Sequence, residues 1–428
     1  MQTASKKIIN GWAMYDWANS VYNLVITTTF FPAYYAAVTA PTTEKFRHGV
    51  QFLGRTFVNT ELKDYFFSAA YVVIIILSPI LSSIADYRGN KKAFMRTFCY
   101  LGAVCCSLMF FFDGDNVIFA LFMLMLACVG FYGSQVFYNS YLPEIASEAD
   151  QNRISARGYT FGYIGSVLMQ MIGFGMVMAM PDSSLPLKLS FLLVGLWWAG
   201  FAQITFARLP PGNRSGKERG NVLSNGFVEL KKVWNQLRHM PVLKRFLAAF
   251  LFYSMGVQTV MLVATDFGIK ELKLENATLI LVLVVIQLVA IIGAILMSRL
   301  SNRFGNINIL AITVLLWMVV CIAGYYMQTE LQFYILASLV GLVMGGIQSV
   351  SRSTYSKYMP PTKDTASFFS FYDITEKLAI VVGVFSFGFI EGLTHSMRNS
   401  ILALIVFFVL GFISLLLTGQ SLKHQKKA

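Results

Sequence analysis

Charged side chains are scarce in this chain of 428 residues. Asp, Glu, Lys and Arg together make up 13% of it, against roughly 25% in ordinary soluble domains. Hydrophobic residues make up 56%, and the mean hydropathy is +0.61. This composition excludes an ordinary soluble fold and predicts an integral membrane protein.

Cysteine is also sparse, and the five cysteines form no CxxC or Cys/His pattern. All of them fall in apolar stretches, where we expect small buried side chains rather than a disulfide framework or a metal site: Cys99, Cys105, Cys106, Cys128 and Cys321. The chain has no GxxxxGK[ST] phosphate-binding loop and no nucleophile and base at catalytic spacing. We therefore expect no enzyme, no metal and no bound cofactor.

What the chain has instead is a series of apolar runs, each long enough to cross about 30 Å of hydrocarbon. The N-terminus shows no cleavable signal pattern, so we expect the first run to stay in the protein. The predicted spans are 10–39, 65–85, 93–112, 116–137, 156–180, 187–207, 243–265, 277–298, 307–327, 330–351, 366–390 and 398–418.

The basic residues predict the orientation of these spans. With a cytoplasmic N-terminus, 25 of the 34 Lys and Arg lie in inside segments, 8 lie outside and Lys377 lies within a span. This is the positive-inside pattern, and the even number of spans places the C-terminus inside as well. The net charge of +13 thus needs no nucleic-acid partner, because the basic residues are divided among short loops.

Two loop motifs recur at nearly the same offset. The segment 86–90 has its echo at 302–306, and the segment 138–143 has its echo at 355–360, so the offsets are 216 and 217 residues. A constant offset indicates a duplicated half-protein. We predict an all-α membrane protein of twelve helices in two parallel six-helix bundles, 1–207 and 243–428, related by an axis along the membrane normal.

The basic segment 208–242 is predicted to link the two bundles on the cytoplasmic side. Its second part is amphipathic at helical spacing, with one apolar face formed by Phe227, Leu230, Val233, Trp234 and Leu237. Two interpretations stay open. The helix lies on the anionic inner leaflet, or it packs against the bundle.

The recurring turn has a mechanical interpretation as a conformational latch. A carboxylate at the end of one span, a glycine in the turn and cations at the start of the next can hold neighbouring helix ends together. The parts are Asp86, Arg88, Gly89, Lys91 and Lys92 in the first turn, and Arg303 and Gly305 in the second. Because Asn302 replaces Asp86, we expect a weaker latch in the second half. The alternative is an ordinary basic, glycine-containing loop.

Polar residues within spans are costly and mark functional faces. One helical face of the first span predicts a polar cavity and consists of Trp12, Asp16, Ser20, Asn23 and Thr27, with Asn19 at its edge. Gln258 in the seventh span and Gln348 and Arg352 in the tenth are further candidates for its lining. For Asp16 the alternative is a carboxylate that caps the start of its helix.

The eleventh span holds Asp373, Glu376 and Lys377, with Lys377 predicted near mid-membrane. Asp373 and Lys377 are spaced for an intrahelical ion pair. Two carboxylates against one ammonium leave a surplus site that could carry a proton and couple it to a conformational change. The alternative is a static ion-pair network with Arg352 as its fourth member.

These features resemble the major facilitator superfamily, and more narrowly its vacuole-effluxer branch, which includes autophagy-related amino-acid exporters and bacterial relatives. The resemblance rests on GWAMYDWANS at 11–20, GGIQSVSRS at 345–353 and FYDITEK at 371–377. Tyr253 of the seventh span also matches the branch. Where the branch commonly has an acid, this chain has Met255, and we hypothesise that Glu376 compensates.

The resemblance implies a secondary transporter of the bacterial inner membrane that acts as a monomer within the lipid bilayer. It favours export of a small polar or zwitterionic, amino-acid-like solute, with a proton gradient as the energy source. Two alternatives stay open. The abundant Phe, Tyr and Met favour an exporter of hydrophobic drugs or metabolites, and the chain could also be a membrane receptor or sensor that transports nothing.

Overall fold

The computed structural model describes residues 2–40, 44–181, 184–211, 222–274 and 276–427. The first half contains α1 (Lys6–Val21), a π-helix (Tyr22–Phe30), α2 (Phe31–Val38), α3 (Asn59–Arg88), α4 (Lys91–Leu108), α5 (Val117–Asn139), α6 (Leu142–Ile145), α7 (Gln151–Ala179) and α8 (Leu185–Arg208). Short 3₁₀ turns occupy Glu44–Phe46 and Met109–Phe111. Strands β1 (Val50–Phe52) and β2 (Arg55–Phe57) pair antiparallel in the loop before α3.

The linker contributes α9 (Val222–Arg238). The second half contains α10 (Pro241–Leu272), α11 (Asn276–Phe304), α12 (Asn306–Tyr326), α13 (Glu330–Tyr358), α14 (Thr365–Thr394), α15 (Met397–Ala403) and α16 (Ile405–Lys427). Eleven helices among the described residues are long and apolar enough to cross a membrane. The remaining crossing is the continuous run of α1, the π-helix and α2, which confirms the twelve predicted spans.

The π-helix changes which side chains of the first span share a face. Five consecutive β-branched residues from Val25 disfavour a regular α-helix, and the hydroxyls of Thr28 and Thr29 donate to carbonyls five residues back, at 2.9 and 2.8 Å. A wider turn shifts the face by a residue. Thr28 therefore lines the cavity described below, and not Thr27 as predicted.

Glycines let helices approach closely within each half. A Cβ at Gly165 of α7 would lie 2.7 Å from the backbone oxygen of Trp17 in α1. A Cβ at Gly345 of α13 would lie 2.0 Å from the backbone oxygen of Ala290 in α11. The buried hydrophobic residues form two clusters, one mostly of the first half and one mostly of the second, as expected of two bundles that move as units.

Both chain ends lie on one side of the bundle, which we call the termini side. The Ala4 N–H donates to the carbonyl of Ile145, 2.9 Å away, at the end of α6. Asn152 at the start of α7 donates in turn to Asn302 at the end of α11, at 2.8 Å. The end of α16 packs beside the start of α12.

Helix α9 packs against this side of the bundle. Val233 and Leu237 are buried, and the ring of Trp234 lies 5.6 Å from that of Phe371 in α14. Phe227, on the same predicted face, is 55% exposed. The packing interpretation therefore describes the second part of α9. The beginning of the predicted linker includes residues 212–221, which lie outside the described part of the chain.

Candidate functional site

A cavity of about 210 Å³ lies between the two halves. Eight of the predicted site residues line it, namely Asp16, Asn23, Gln258, Gln348, Arg352, Asp373, Glu376 and Lys377. Asn19 and Tyr253 were also predicted to belong to the site, but neither lines the cavity. Asn19 is fully buried, and the Tyr253 hydroxyl is hydrogen-bonded to Ser351, 2.7 Å away, within the second half.

Arg352 of α13 joins the two halves at the termini end of this cavity. Its side chain is buried, and Nη1 lies 3.2 Å from Asp16 Oδ2 and 3.1 Å from Asn139 Oδ1. Nε donates to the hydroxyl of Ser155 at 3.0 Å, and Nη2 donates to the carbonyl of the same residue at 2.8 Å. Four of the five guanidinium N–H groups therefore bind the first half.

Aromatic rings complete the environment of this guanidinium. Its carbon lies 4.1 Å from the ring centroid of Tyr159 and 4.9 Å from that of Trp12. Trp12 stacks on Tyr138 with 4.5 Å between ring centroids, and the Tyr138 hydroxyl donates to Asp16 at 2.7 Å. The cation is thus held by a carboxylate and by π-faces that are themselves fixed in place.

Two predictions about this pair are corrected by the geometry. Arg352 pairs with Asp16. It is not a fourth member of the group formed by Asp373, Glu376 and Lys377, which we call the α14 cluster. Asp16 does not cap a helix, because α1 begins at Lys6, nearly three turns earlier. A carboxylate interacts favourably with the helix dipole only in the first turn, and Asp16 lies beyond the first turn of α1.

The predicted trio of α14 forms one ion-pair cluster. Lys377 Nζ lies 3.1 Å from Asp373 Oδ1 and 2.8 Å from Glu376 Oε2. The Gln258 amide of α10 donates to Glu376 Oε1 at 3.1 Å. From the other half, the ring of Tyr132 covers the ammonium, with Nζ 3.9 Å from its centroid. Lys377 is completely buried, so both carboxylates and the ring serve a single cation.

One acceptor of the cluster is left over. Asp373 Oδ2 is buried and has no hydrogen-bond partner, although Asp373 lines the cavity. Met255, where the resemblance predicts an acid, is buried and does not belong to the cavity lining. The hypothesis that Glu376 compensates for Met255 therefore receives no support from their placement.

Tyr159 lies between the two charge clusters. Its ring contacts the Arg352 guanidinium, and it lines the cavity together with Glu376 and Lys377. Beside it, Tyr163 donates to the side-chain oxygen of Gln348 at 2.6 Å, again from one half to the other. The floor of the cavity is therefore a continuous polar layer that both halves build.

Asp86 forms a second link between the halves, closer to the termini side. Its carboxylate accepts the backbone N–H groups of Ala366 and Ser367 at 3.2 and 2.7 Å, and the Ser367 hydroxyl at 2.7 Å. These N–H groups belong to the first turn of α14 and have no partner within their helix. Asp86 thus caps a helix of the opposite half.

The cation of this link is Lys91 rather than Arg88. Lys91 pairs with Glu144 and lies 3.2 Å from the hydroxyl of Thr365, while Arg88 is exposed. Thr365 in turn donates to Glu144 at 2.7 Å. Gly89 supports the turn as predicted, because its φ of +64° is left-handed.

In the second copy of the turn, the two halves are linked by hydrogen bonds between asparagine side chains. Asn152 of α7 and Asn306 of α12 exchange two hydrogen bonds, at 2.8 and 2.9 Å, and Asn302 accepts a third. Gly305 has a φ of +86°, as a tight turn requires. Arg303 is exposed and contacts the ring of its neighbour Phe304, so its predicted part in a latch is wrong.

These links between the halves lie at the floor of the cavity and toward the termini side. The remainder of the lining runs toward the opposite side, where Thr28 of the π-helix, Leu262 and Ile380 border it. Leu262 is 47% exposed there. The structure therefore closes the cavity toward the chain termini.

Several site residues were missed at the sequence level, namely Tyr138, Asn139, Ser155 and Tyr159. The repeat supplied a signal for two of them, because Tyr138 and Asn139 belong to the recurring segment 138–143. Within the described residues no group of three His, Cys, Asp or Glu side chains could hold a metal ion.

Comparison with known proteins decides the family. The family model described as "Vacuole effluxer Atg22 like" matches residues 4–427. The chain belongs to this family. A Bacillus subtilis relative, an uncharacterized MFS-type transporter, is 31% identical over 412 residues, which cover 95% of this chain and 93% of the relative. Autophagy-related protein 22 of Saccharomyces cerevisiae is 26% identical over 420 residues, which cover 85% and 78%.

Solved structures with this fold are transporters of the same superfamily. The Escherichia coli fucose:proton symporter aligns with a TM-score of 0.70 at 16% identity, over 96% of this chain and 97% of that one. A proton:xylose symporter aligns with a TM-score of 0.73 at 11% identity, over 97% and 95%. The chain is thus a multi-pass membrane transporter of the major facilitator superfamily, which confirms the fold and the resemblance.

Proposed function

We propose that this Atg22-like transporter exports a small polar, amino-acid-like solute across the bacterial inner membrane, driven by protons and by alternating access between its halves. The observation that carries the proposal is a charged cavity near mid-membrane that links between the two halves close toward the chain termini. Lys377 lies twelve residues beyond the start of α14, which is about 18 Å along a helix and close to the middle of a hydrocarbon layer of about 30 Å.

The size and chemistry of the cavity support a small polar solute over a hydrophobic drug. Sites for drug-sized ligands occupy roughly 300–1,000 Å³, whereas this cavity occupies about 210 Å³. Its lining includes the amides of Asn23, Gln258 and Gln287 as well as five charged side chains. A hydrophobic solute would offer no donor to Asp373 Oδ2, a buried acceptor of this lining without a hydrogen-bond partner, at a cost of about 1–3 kcal/mol.

The charge balance of the α14 cluster supports proton coupling. Asp373 and Glu376 share the single ammonium of Lys377, so one negative charge is left over near mid-membrane. Binding and release of a proton there would remove and restore a charge that is expensive in this environment. We therefore propose the α14 cluster as the proton site, with no cofactor needed.

The direction and location follow from the family and the basic residues. The family is described as vacuole effluxers, and we propose by analogy that this chain moves its solute out of the compartment that its membrane encloses. The positive-inside pattern identifies the termini side with the cytoplasm, so the present conformation is closed toward the cytoplasm. Lipid and the solute are the partners that a monomer of this kind requires, and we infer no nucleic-acid partner.

The experiment that tests the proposal is flux in proteoliposomes that contain the purified chain. A panel of labelled amino acids is loaded inside, and efflux is followed with and without an imposed pH gradient. We expect at least one amino acid to leave faster than from protein-free liposomes, with a rate that responds to the gradient. Flux that ignores the gradient would remove proton coupling, and no flux for any solute would remove the proposed substrate class.

A further inference from the structure

Internal partners already occupy most of the hydrogen-bonding capacity of the two cations in the cavity. Lys377 Nζ is shared by Asp373 and Glu376 and is covered by the ring of Tyr132 at 3.9 Å. Arg352 donates four hydrogen bonds to the first half and contacts the faces of Tyr159 and two further rings. An anionic ligand would therefore compete with an internal carboxylate for either cation.

The acidic side chains of the cavity, in contrast, have an acceptor atom that no donor occupies. Five charged residues line it, three acids and two bases, so the lining carries one surplus negative charge when all are ionised. Asp373 is 5% exposed, and its Oδ2 has no hydrogen-bond partner. A buried acceptor without a donor costs free energy that a ligand with an N–H⁺ group would recover.

Tyrosine faces around the cluster suit the same kind of group. Tyr71, Tyr132, Tyr159 and Tyr372 line the cavity, and the ring of Tyr132 already serves as the π-partner of one ammonium, that of Lys377. Aromatic faces beside a carboxylate attract alkylammonium groups. Neither feature gives a carboxylate ligand a comparable partner.

We infer that the cavity recognises the protonated amine of its solute through Asp373 Oδ2, so that small primary amines bind it even when they lack a carboxylate. This inference rests on the proposed function, because it concerns the same cavity. It changes the expected specificity: the ammonium group is required, and the carboxylate of an amino acid is dispensable.

Matched sets of three compounds test the inference. Valine is compared with 2-methylpropylamine, which lacks the carboxylate, and with 3-methylbutanoate, which lacks the amine. Phenylalanine is compared likewise with 2-phenylethylamine and 3-phenylpropanoate. Thermal unfolding of the purified protein is measured with each compound at neutral pH, since a ligand that binds only the folded state raises the melting temperature. We expect the amines to raise it at least as much as the amino acids, and the acids to leave it unchanged.

Three variants attribute the effect to the proposed group. Asp373→Asn should lose the stabilisation by amines, and Asp373→Glu should retain part of it, which separates loss of charge from misfolding. Glu391→Gln is the control, because Glu391 is an acid of the same helix outside the cavity lining. It should respond to amines as the natural chain does.

The outcomes separate the inference from the proposed function. Stabilisation by the acids equal to that by the amines would overturn the inference, as would amine stabilisation that persists in Asp373→Asn, and in either case a small polar solute would still bind. If no compound of either set stabilises the protein or competes for flux, the proposed substrate class fails, and the inference fails with it.

Discussion

Arg352 of α13 and Asp16 of α1 form an ion pair between the two halves, with Nη1 and Oδ2 3.2 Å apart and both side chains buried. Removing one partner of such a pair leaves an uncompensated charge, at a cost of about 3–5 kcal/mol. The pair is therefore compatible with only one arrangement of the halves. When the halves separate on the termini side, both groups must find water or other partners.

Gly158 of α7 leaves the space that this pair requires. A Cβ at this position would lie 2.5 Å from Asp16 Oδ2 and 2.8 Å from Arg352 Nη2. Gly158→Ala should thus push the pair apart and reduce flux at least tenfold, with the protein still folded. Gly175→Ala is the matched control on the same helix, because nothing lies within 4 Å of its added Cβ. Equal flux in the two variants would contradict a tight fit at Gly158.

Lys377 is the one cation of the α14 cluster. Lys377→Ala leaves Asp373 and Glu376 close together without their shared partner, so we expect flux to fall to the level of empty liposomes. Detergent-solubilised protein should still elute as a single symmetric peak in size-exclusion chromatography. Normal flux in this variant would mean that the cluster is a structural ion-pair network without a part in transport.

Asp86 and Asn302 occupy equivalent turns, but the contacts that they make with the other half should differ in strength. Asp86 accepts three hydrogen bonds from α14 as a carboxylate, and bonds to charged groups contribute about 1.5–3 kcal/mol each. Asn302 accepts one bond from the Asn152 amide. Asp86→Ala should therefore expose a cysteine introduced at Ser367 to a membrane-impermeant maleimide much faster than Asn302→Ala does. Similar labelling rates would show that the two turns act alike.

Lys232 fastens α9 to the start of α14. It binds Asp364 at 2.8 Å and Glu229 at 2.6 Å, and these two acceptors raise the pKa of Lys232 to about 12. A raised lysine pKa stabilises the folded state fully below its unfolded value of about 10.4, and this contribution disappears only as pH rises through about 12.

Because Lys232 is half-exposed, its contribution should stay below about 1 kcal/mol after solvent screening. Lys232→Ala should accelerate amide hydrogen exchange in α9 by no more than about fivefold at neutral pH. Lys231→Ala, at the exposed neighbouring position, should leave exchange unchanged. Equal exchange rates in the two variants would show that the ion pairs do not hold α9 in place.

The sequence predicted the spans well, because about twenty consecutive apolar residues have few alternatives to a membrane helix. Single-helix relationships such as Asp373 with Lys377 were also predictable, since helical spacing alone determines them. The pairing of Asp16 with Arg352 was not. It joins helices of different halves, and no periodicity within one helix indicates which partner lies across an interface. The π-helix was missed for a related reason, because span prediction assumes regular α-helical phase.

The recurring turns were recognised, but their partners were not. A carboxylate next to cations in the same loop suggested a local latch, whereas Asp86 caps a helix of the other half. Arg88 and Arg303 carry the positive charge that a latch requires, but their side chains are exposed. Which helix a carboxylate caps depends on which helix N-terminus lies beside it in the assembled bundle. The sequence around the carboxylate does not contain that information.

The Asp16–Arg352 pair is expected to hold the halves together on the termini side. Spin labels at the exposed positions Lys7 and Arg303, one in each half, report this opening by double electron–electron resonance, with the native cysteines replaced by alanine. Natural Asp16 should give one dominant short distance, and Asp16→Asn should add a longer distance at a substantial population. Identical distance distributions with Asp16 and with Asn at this position would contradict the account.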